Sequence, residues 1–269
     1  MKYNLDNKTV VLTGASSGIG REIATRLVKN HACTVYGIAR REGELEKLRQ
    51  TLGEKFIPIP MDITHKEKWH DLFAKLQSDG IVVDTLINCA GILPKFASVE
   101  KSSANDTENA LNVNFLSQVW ASEILLPLIK KSTQGAIISF ASSSALCPFA
   151  GVSSYCASKS ASKAYFECMA RENKEIYVAS VMNGFVKTDI MKNQNATERE
   201  TKLFNKVCAD LDKTVTKILR RIKRRKSRIV VGTDAHLMSA LYRLFPNLGP
   251  KIISKFLKKT KFELFKDIT

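Results

Sequence analysis

Residues 9–20 read TVVLTGASSGIG. Thr9 to Leu12 make a short, β-branched apolar run. The stretch that follows, GIGREIATRLVKN, carries Ile19, Ile23, Leu27 and Val28 at helical spacing. A strand therefore passes through a glycine-rich turn directly into an amphipathic helix. Gly14, Gly18 and Gly20 let the backbone turn tightly and approach a ligand. Ser16, Ser17 and Ile19 stand at the helix start, where free N–H groups and the positive end of the dipole suit a pyrophosphate. The spacing is TGxxxGxG rather than GxGxxG.

Outward from this unit the same alternation continues. TVYGIA, KFIPIP, VDTLIN, GAIISFA, IYVASVM and RIVVG read as strands. Between them lie EGELEKLRQTL, HKEKWHDLFAKLQ, a helical region from about Asn105 to Lys131, and a helix over 154–172. Near-continuous apolar strands alternating with amphipathic helices predict a parallel sheet covered on both faces. Right-handed crossovers make it a doubly wound α/β sheet of the Rossmann type.

The end of the second strand bears on the cofactor. An acidic residue there binds the ribose 2′-hydroxyl of NAD. Here the chain reads Ile38-Ala39-Arg40-Arg41. With no carboxylate and a guanidinium on Arg40, a 2′-phosphate is welcome, so NADP(H) is expected over NAD(H).

Tyr155 and Lys159 stand four apart, on one face of a helix and one turn apart. A nearby ammonium lowers a phenol's pKa, and the phenol can then exchange a proton with a carbonyl or alcohol oxygen. Ser142 precedes Tyr155 by 13 residues, at a strand end, where its hydroxyl can bond the substrate oxygen. Ser143 is the fallback. Asp62-Ile63 and Asn88-Cys89-Ala90-Gly91 each follow a strand.

In this order, TGxxxGxG, Asp-Ile, NxAG, Asn114, Ser142 and YxxxK resemble the short-chain dehydrogenase/reductase family, over about residues 6–190. The resemblance implies that Asp62 and Ile63 flank the adenine, and that Asn88, Ala90 and Gly91 stand at the cofactor. It further implies that Lys159 holds the nicotinamide ribose beside Tyr155, and that Asn114 holds a water linking Lys159 to solvent. Thr188 takes the place of the family's nicotinamide-contacting Thr. One departure is Asn183, where the family has Pro before Gly184; a softened turn is expected there.

The chain has 269 residues, 44% hydrophobic and 25% charged, which fits a globular protein with a sizeable core. No apolar run approaches the ~20 residues of a spanning helix, and no leader pattern is read at the N-terminus. The six cysteines and four histidines show no metal-ligand spacing, so reduced thiols, a cytoplasmic location and no metal are expected.

Formal net charge is +16, and residues 202–261 alone hold 17 Lys and Arg against three Asp, a formal +14. Residues 1–233 are read as the catalytic domain, with a substrate lid over 189–211, and 234–269 as a basic amphipathic extension. Phe185, Ile190, Met191, Leu203 and Phe204 are expected to wall the pocket on one side, and Leu146, Pro148 and Phe149 on the other. In DKTVTKILRRIKRRKSR, Leu211, Val215, Ile218 and Ile222 recur at helical spacing with cations on the other faces. No base-reading motif accompanies these cations, which argues against nucleic acid. Gly249 and Pro250 start a helix on which Ile252, Ile253, Phe256 and Leu257 group away from the lysines, a pattern suited to an anionic membrane surface. The expected activity is NADP(H)-dependent interconversion of a hydrophobic carbonyl and its alcohol, by a homodimer or homotetramer. A 3-oxoacyl thioester is the alternative substrate, and a non-catalytic NADP-binding module is the rival from another class.

Overall fold

The computed structural model describes residues 2–188, 190, 194, 197–259, 262 and 265–268, without the side chains of 204, 205 and 207. Met191 and the Phe204 side chain, named above, lie outside the described residues. Among the described residues seven strands run β1 (Thr9–Thr13), β2 (Thr34–Ala39), β3 (Phe56–Pro60), β4 (Thr85–Asn88), β5 (Ala136–Phe140), β6 (Tyr177–Asn183) and β7 (Arg228–Val231). Ten α-helices among the described residues join and follow them: α1 (Gly18–His31), α2 (Glu42–Leu52), α3 (Lys66–Ser78), α4 (Ala104–Leu111), α5 (Ser117–Lys130), α6 (Ser153–Glu172), α7 (Glu198–Val207), α8 (Leu211–Lys223), α9 (Thr233–Leu244) and α10 (Gly249–Lys259).

Every strand pair is parallel, in the order β3-β2-β1-β4-β5-β6-β7. The predicted sheet is therefore present, with β4 central and a switch of direction between β1 and β4, the place where such sheets bind ligands. Ile23 and Leu27 of α1, Leu45 of α2 and Val215 and Ile218 of α8 fill one face. Trp69 and Leu72 of α3, Leu125 of α5 and Phe166 of α6 fill the other. The edge strand β3 contains Pro58 and Pro60. It tolerates them because the alternate residues face β2: Met61 N–H donates to Ala39 O, so the prolines turn their nitrogens to the open edge.

The structure differs from the sequence reading in three places. The region 105–131 is two helices joined by a π-helical turn, Asn112–Leu116, which swings Asn114 out of α-helical register. Helix α9 was not read from the sequence. On α10 the expected apolar face is split. Leu257 and Ile253 pack inward with Met238, Phe96 and Phe149, while Ile252 and Phe256 remain exposed. The reason is that Ile253 and Leu257 stand one turn apart on the side of α10 that meets the body. Among the described residues no helix is long and apolar enough to cross a membrane, and no cluster of His, Cys, Asp or Glu could hold a metal.

Candidate active site

The β1–α1 turn places Gly14 at φ +75° and Gly18 at φ +52°, conformations that suit glycine. Gly14 also touches the backbone of Ala90, 2.9 Å from where a Cβ would stand. Ser17 enters α1 in an extended conformation without capping it, and no acidic residue occupies the first turn. The N–H groups at this helix start therefore suit an anion. Thr13 Oγ1 accepts from the N–H groups of Cys89 and Ala90, both at 3.1 Å, and so fixes the end of β4 against β1.

These glycines open on a cavity of about 460 Å³. Ser16, Ser17, Gly18, Ile19, Gly20, Arg40, Asp62, Ile63, Ala90, Gly91, Tyr155, Lys159 and Thr188 all line it, as the sequence led us to expect. Arg41 lines it as well, with its guanidinium donating to Ser16 Oγ at 3.0 Å. Against the effect of burial, hydrogen bonds from the Thr64 N–H and hydroxyl, and then the Arg40 charge, lower the pKa of Asp62. Asn88 does not line the cavity. Its amide is turned inward, donating to Ser122 Oγ at 3.1 Å and to Gln118 O, so it holds α5 to the sheet. Cys89 is an inert filler, its thiol pushed up to about 12 by burial.

Lys159 is buried, and its Nζ donates to Phe140 O at 2.8 Å. Burial pulls its pKa down to about 8. Tyr155 goes the other way, pushed up to about 12 by burial against a hydrogen bond with Ser142. The lysine was expected to lower the phenol's pKa. In this geometry the ammonium is engaged by the Phe140 carbonyl, 6.0 Å from the centre of the tyrosine ring, and it is not among the causes acting on Tyr155. Asn114 is fully buried; its Oδ1 accepts from Ile92 N–H at 2.8 Å and its Nδ2 donates to Ser158 Oγ at 3.0 Å. Gly91 stands over both groups, where a Cβ would lie 3.0 Å from Asn114 Oδ1 and 3.1 Å from Lys159 Nζ.

Gln118 escaped the sequence reading. Its Oε1 accepts from Ser139 and Ser162 at 2.6 and 3.2 Å, and its Nε2 donates to Asn114 O at 2.7 Å and weakly to Phe140 O at 3.4 Å. One buried amide thus ties the backbone of Asn114 to the carbonyl that holds Lys159. A polar residue one turn after Asn114 was the available signal.

A second, smaller cavity of about 90 Å³ adjoins the first, and Tyr155 lines both. Ser142 opens on the smaller one, whose walls are Leu93, Phe96, Phe149, Val152, Phe185 and Ile190. Of the expected wall, Phe149, Phe185 and Ile190 are in place. Leu146 is instead buried with Met182 and Val230, and Pro148 and Leu203 are exposed. Gln194 anchors the predicted lid, accepting from Phe96 N–H and donating to Pro94 O, both at 3.0 Å. The loop at Asn183 is not softened. Gly184 N–H donates to Val231 O at 2.9 Å and Phe185 N–H to Asp234 Oδ2 at 2.7 Å, while Asn183 Nδ2 donates to Gly184 O. The Asn183 side chain thus ties the turn that a proline would stiffen, beside two bonds that do not depend on the residue at 183.

The family model for short chain dehydrogenases matches residues 8–199, and the chain belongs to the short-chain dehydrogenase/reductase family. It is an oxidoreductase of the kind that acts on CH–OH groups with a nicotinamide cofactor. It is 30% identical to the 3-oxoacyl-[acyl-carrier-protein] reductase of Vibrio harveyi, over 75% of this chain and 83% of that one. It is 29% identical to the benzil reductase of Saccharomyces cerevisiae, over 71% of this chain and 76% of that one. A short-chain dehydrogenase from Sphingobium yanoikuyae, solved in complex with NADPH, shares its fold with a TM-score of 0.72 at 24% identity, over 83% of this chain and 87% of that one.

Proposed function

We propose that the protein reduces a hydrophobic ketone or aldehyde with NADPH, or runs the reverse oxidation. The observation that carries this reading is the position of Tyr155, shared by a large cavity floored by glycines and a small apolar one holding Ser142. A dinucleotide suits the first cavity: its backbone is bare at Gly14, Gly18, Gly20 and Gly91, and a helix start faces it. Arg40 and Arg41 would hold a 2′-phosphate, which favours NADPH over NADH. When bound, the cofactor supplies the hydride.

The chain's own groups do the rest. The Tyr155 hydroxyl gives its proton to the carbonyl oxygen, and the Ser142 hydroxyl donates a hydrogen bond to the same oxygen. A phenol held near 12 is protonated at neutral pH, the state that reduction needs. Lys159 carries the replacing proton close to neutrality, and Asn114, bonded to Ile92 and Ser158, fixes the backbone along its path. The apolar walls select a substrate with little polar surface.

Residues 1–233 would form the catalytic unit and 234–269 the basic extension, in a homodimer or homotetramer that is cytoplasmic and meets anionic membrane surfaces. The kinship with a 3-oxoacyl reductase supports an acyl thioester as the second reading of the substrate. The test is NADPH oxidation with a panel of aromatic diketones, apolar ketones, aldehydes and 3-oxoacyl thioesters. Turnover is expected on an apolar ketone, and Tyr155→Phe should lower it ~10²–10⁴-fold while NADPH still binds. NADPH binding with no turnover on any of the panel would make the protein a binding module.

A further inference from the structure

Seven of the eleven large hydrophobic side chains exposed among the described residues fall between residues 237 and 256. Scattered exposed leucines need no explanation, but a run of this density does. Leu237 and Leu244 are exposed on α9, Phe245 and Leu248 at the turn, and Ile252 and Phe256 on α10. Leu244 and Phe256 keep 71% and 66% of their surface. The turn is tight: Gly249 N–H donates to Phe245 O at 2.8 Å, and a Cβ on Gly249 would press on the backbone of Leu241. The inner sides of both helices are already used, since Met238, Ile253 and Leu257 join the cluster that walls the small cavity.

Charge decides what covers the outer side. Residues 235–262 include six Lys and Arg and no Asp or Glu. Among the described residues, Arg243, Lys251, Lys255, Lys258 and Lys259 take part in no ion pair. A second copy of the chain would bring this surface against itself across a two-fold axis, like charge on like, with no carboxylate in the stretch to relieve it. An anionic lipid surface accepts both features together. The headgroup boundary takes the leucines and phenylalanines, and the lipid phosphates and carboxylates take the lysines.

We propose that the α9–turn–α10 surface docks on an anionic bilayer, with Leu244, Leu248, Ile252 and Phe256 entering the headgroup boundary and the lysines of α10 pairing with lipid charge. This assignment of a surface rests on the membrane partner proposed above and not on the chemistry. Because the other side of α10 packs into the apolar cluster that backs the small cavity, docking sets that cavity near the phase in which an apolar ketone dissolves.

The test is co-sedimentation of the full chain with phosphatidylcholine vesicles, with and without phosphatidylserine. Truncation would not serve, since it removes Ile253 and Leu257 from the buried cluster behind the small cavity. The full chain is expected to pellet with the anionic vesicles and to be released by salt. Lys255→Gln with Lys259→Gln should lower partitioning about 30-fold, each lysine near an anionic surface counting about five-fold. Leu248→Glu with Phe256→Glu should abolish binding. Both positions are exposed, so circular dichroism and NADPH affinity should stay unchanged.

The proposal is overturned if the full chain stays in the supernatant with anionic vesicles at low salt, or if the double glutamate variant binds as well as the parent. It is also overturned if the parent is a dimer in solution that the glutamates dissociate. Turnover of a water-soluble diketone is measured on the same samples. Vesicle binding lost with turnover kept removes the surface alone; turnover absent with vesicle binding kept removes the chemistry alone.

Discussion

Lys159 is a buried ammonium with a carbonyl for a partner and no carboxylate, and that cost is readable in stability. Its pKa falls from 10.5 to about 8 in the folded chain. Between those two values the unfolded chain binds the extra proton, so folding gains stability as pH rises through the window. Against Lys159→Met, wild type should gain roughly 3 kcal/mol between pH 7 and 10.5, read by urea unfolding at each pH. A difference that stays flat would mean the ammonium is solvated. The arginines at the other end of the cavity make a separate test. Arg40→Ala and Arg41→Ala should each weaken NADPH by about one to two decades, the worth of a charged hydrogen bond, and leave NADH nearly unchanged. Equal losses in titrations of the two cofactors would make the arginines structural. The meeting of Tyr155, Lys159 and Ser142 at the two cavities was legible from the sequence because two of them stand one helical turn apart and the third ends a strand. Gln118 and the inward turn of Asn88 were not, because most of the partners of these buried amides lie on elements distant in the chain.

At the scale of elements, the strands were legible because apolar β-branched runs leave few alternatives. Helix–helix relations were less so. The π turn at Asn112–Leu116 adds no hydrophobic signal of its own, and the two candidate faces of α10 have the same periodicity until the body chooses one. The β6–α9 junction shows how a departure from a family pattern is absorbed. Asp234 lies against Gly184 and Gly232, filling the space a Cβ on either would need, and accepts from Phe185 N–H. Asp234→Ala should cost about 1–3 kcal/mol by removing that acceptor. It should also raise the Kd for NADPH, since Thr188 lies on the same loop. Asp234→Asn, which keeps an acceptor oxygen, should restore most of both. Thermal melts and cofactor titrations that leave Asp234→Ala at wild-type values would assign the loop's order to Asn183 and Val231 alone.

On the scale of the whole molecule, residues beyond α10 close over the substrate end. Phe265 meets Phe96 edge-on at 5.0 Å between ring centres, Lys101 Nζ pairs with Asp267 Oδ1 at 2.8 Å, and Ile268 fills the space above Gly151. Phe265→Ala should therefore cost about 3 kcal/mol and raise KM for an apolar ketone, with the Kd for NADPH unchanged. Unaltered KM would leave these residues a purely structural cover. The charge imbalance of residues 202–261 was plain in the sequence, but which of those cations surround an apolar surface was not, because α8 spends its apolar side on the sheet while α9 and α10 spend only half of theirs. The two ends of the sheet are also unlike. Along the outer edge of β3, Pro58 and Pro60 keep their carbonyls but offer no donors, so a foreign strand finds only half of a ladder there. Edge-to-edge joining is thereby favoured at β7 over β3, and two molecules joined through β7 present two proline-bearing ends. Runaway fibre growth by strand addition is disfavoured beyond such a pair.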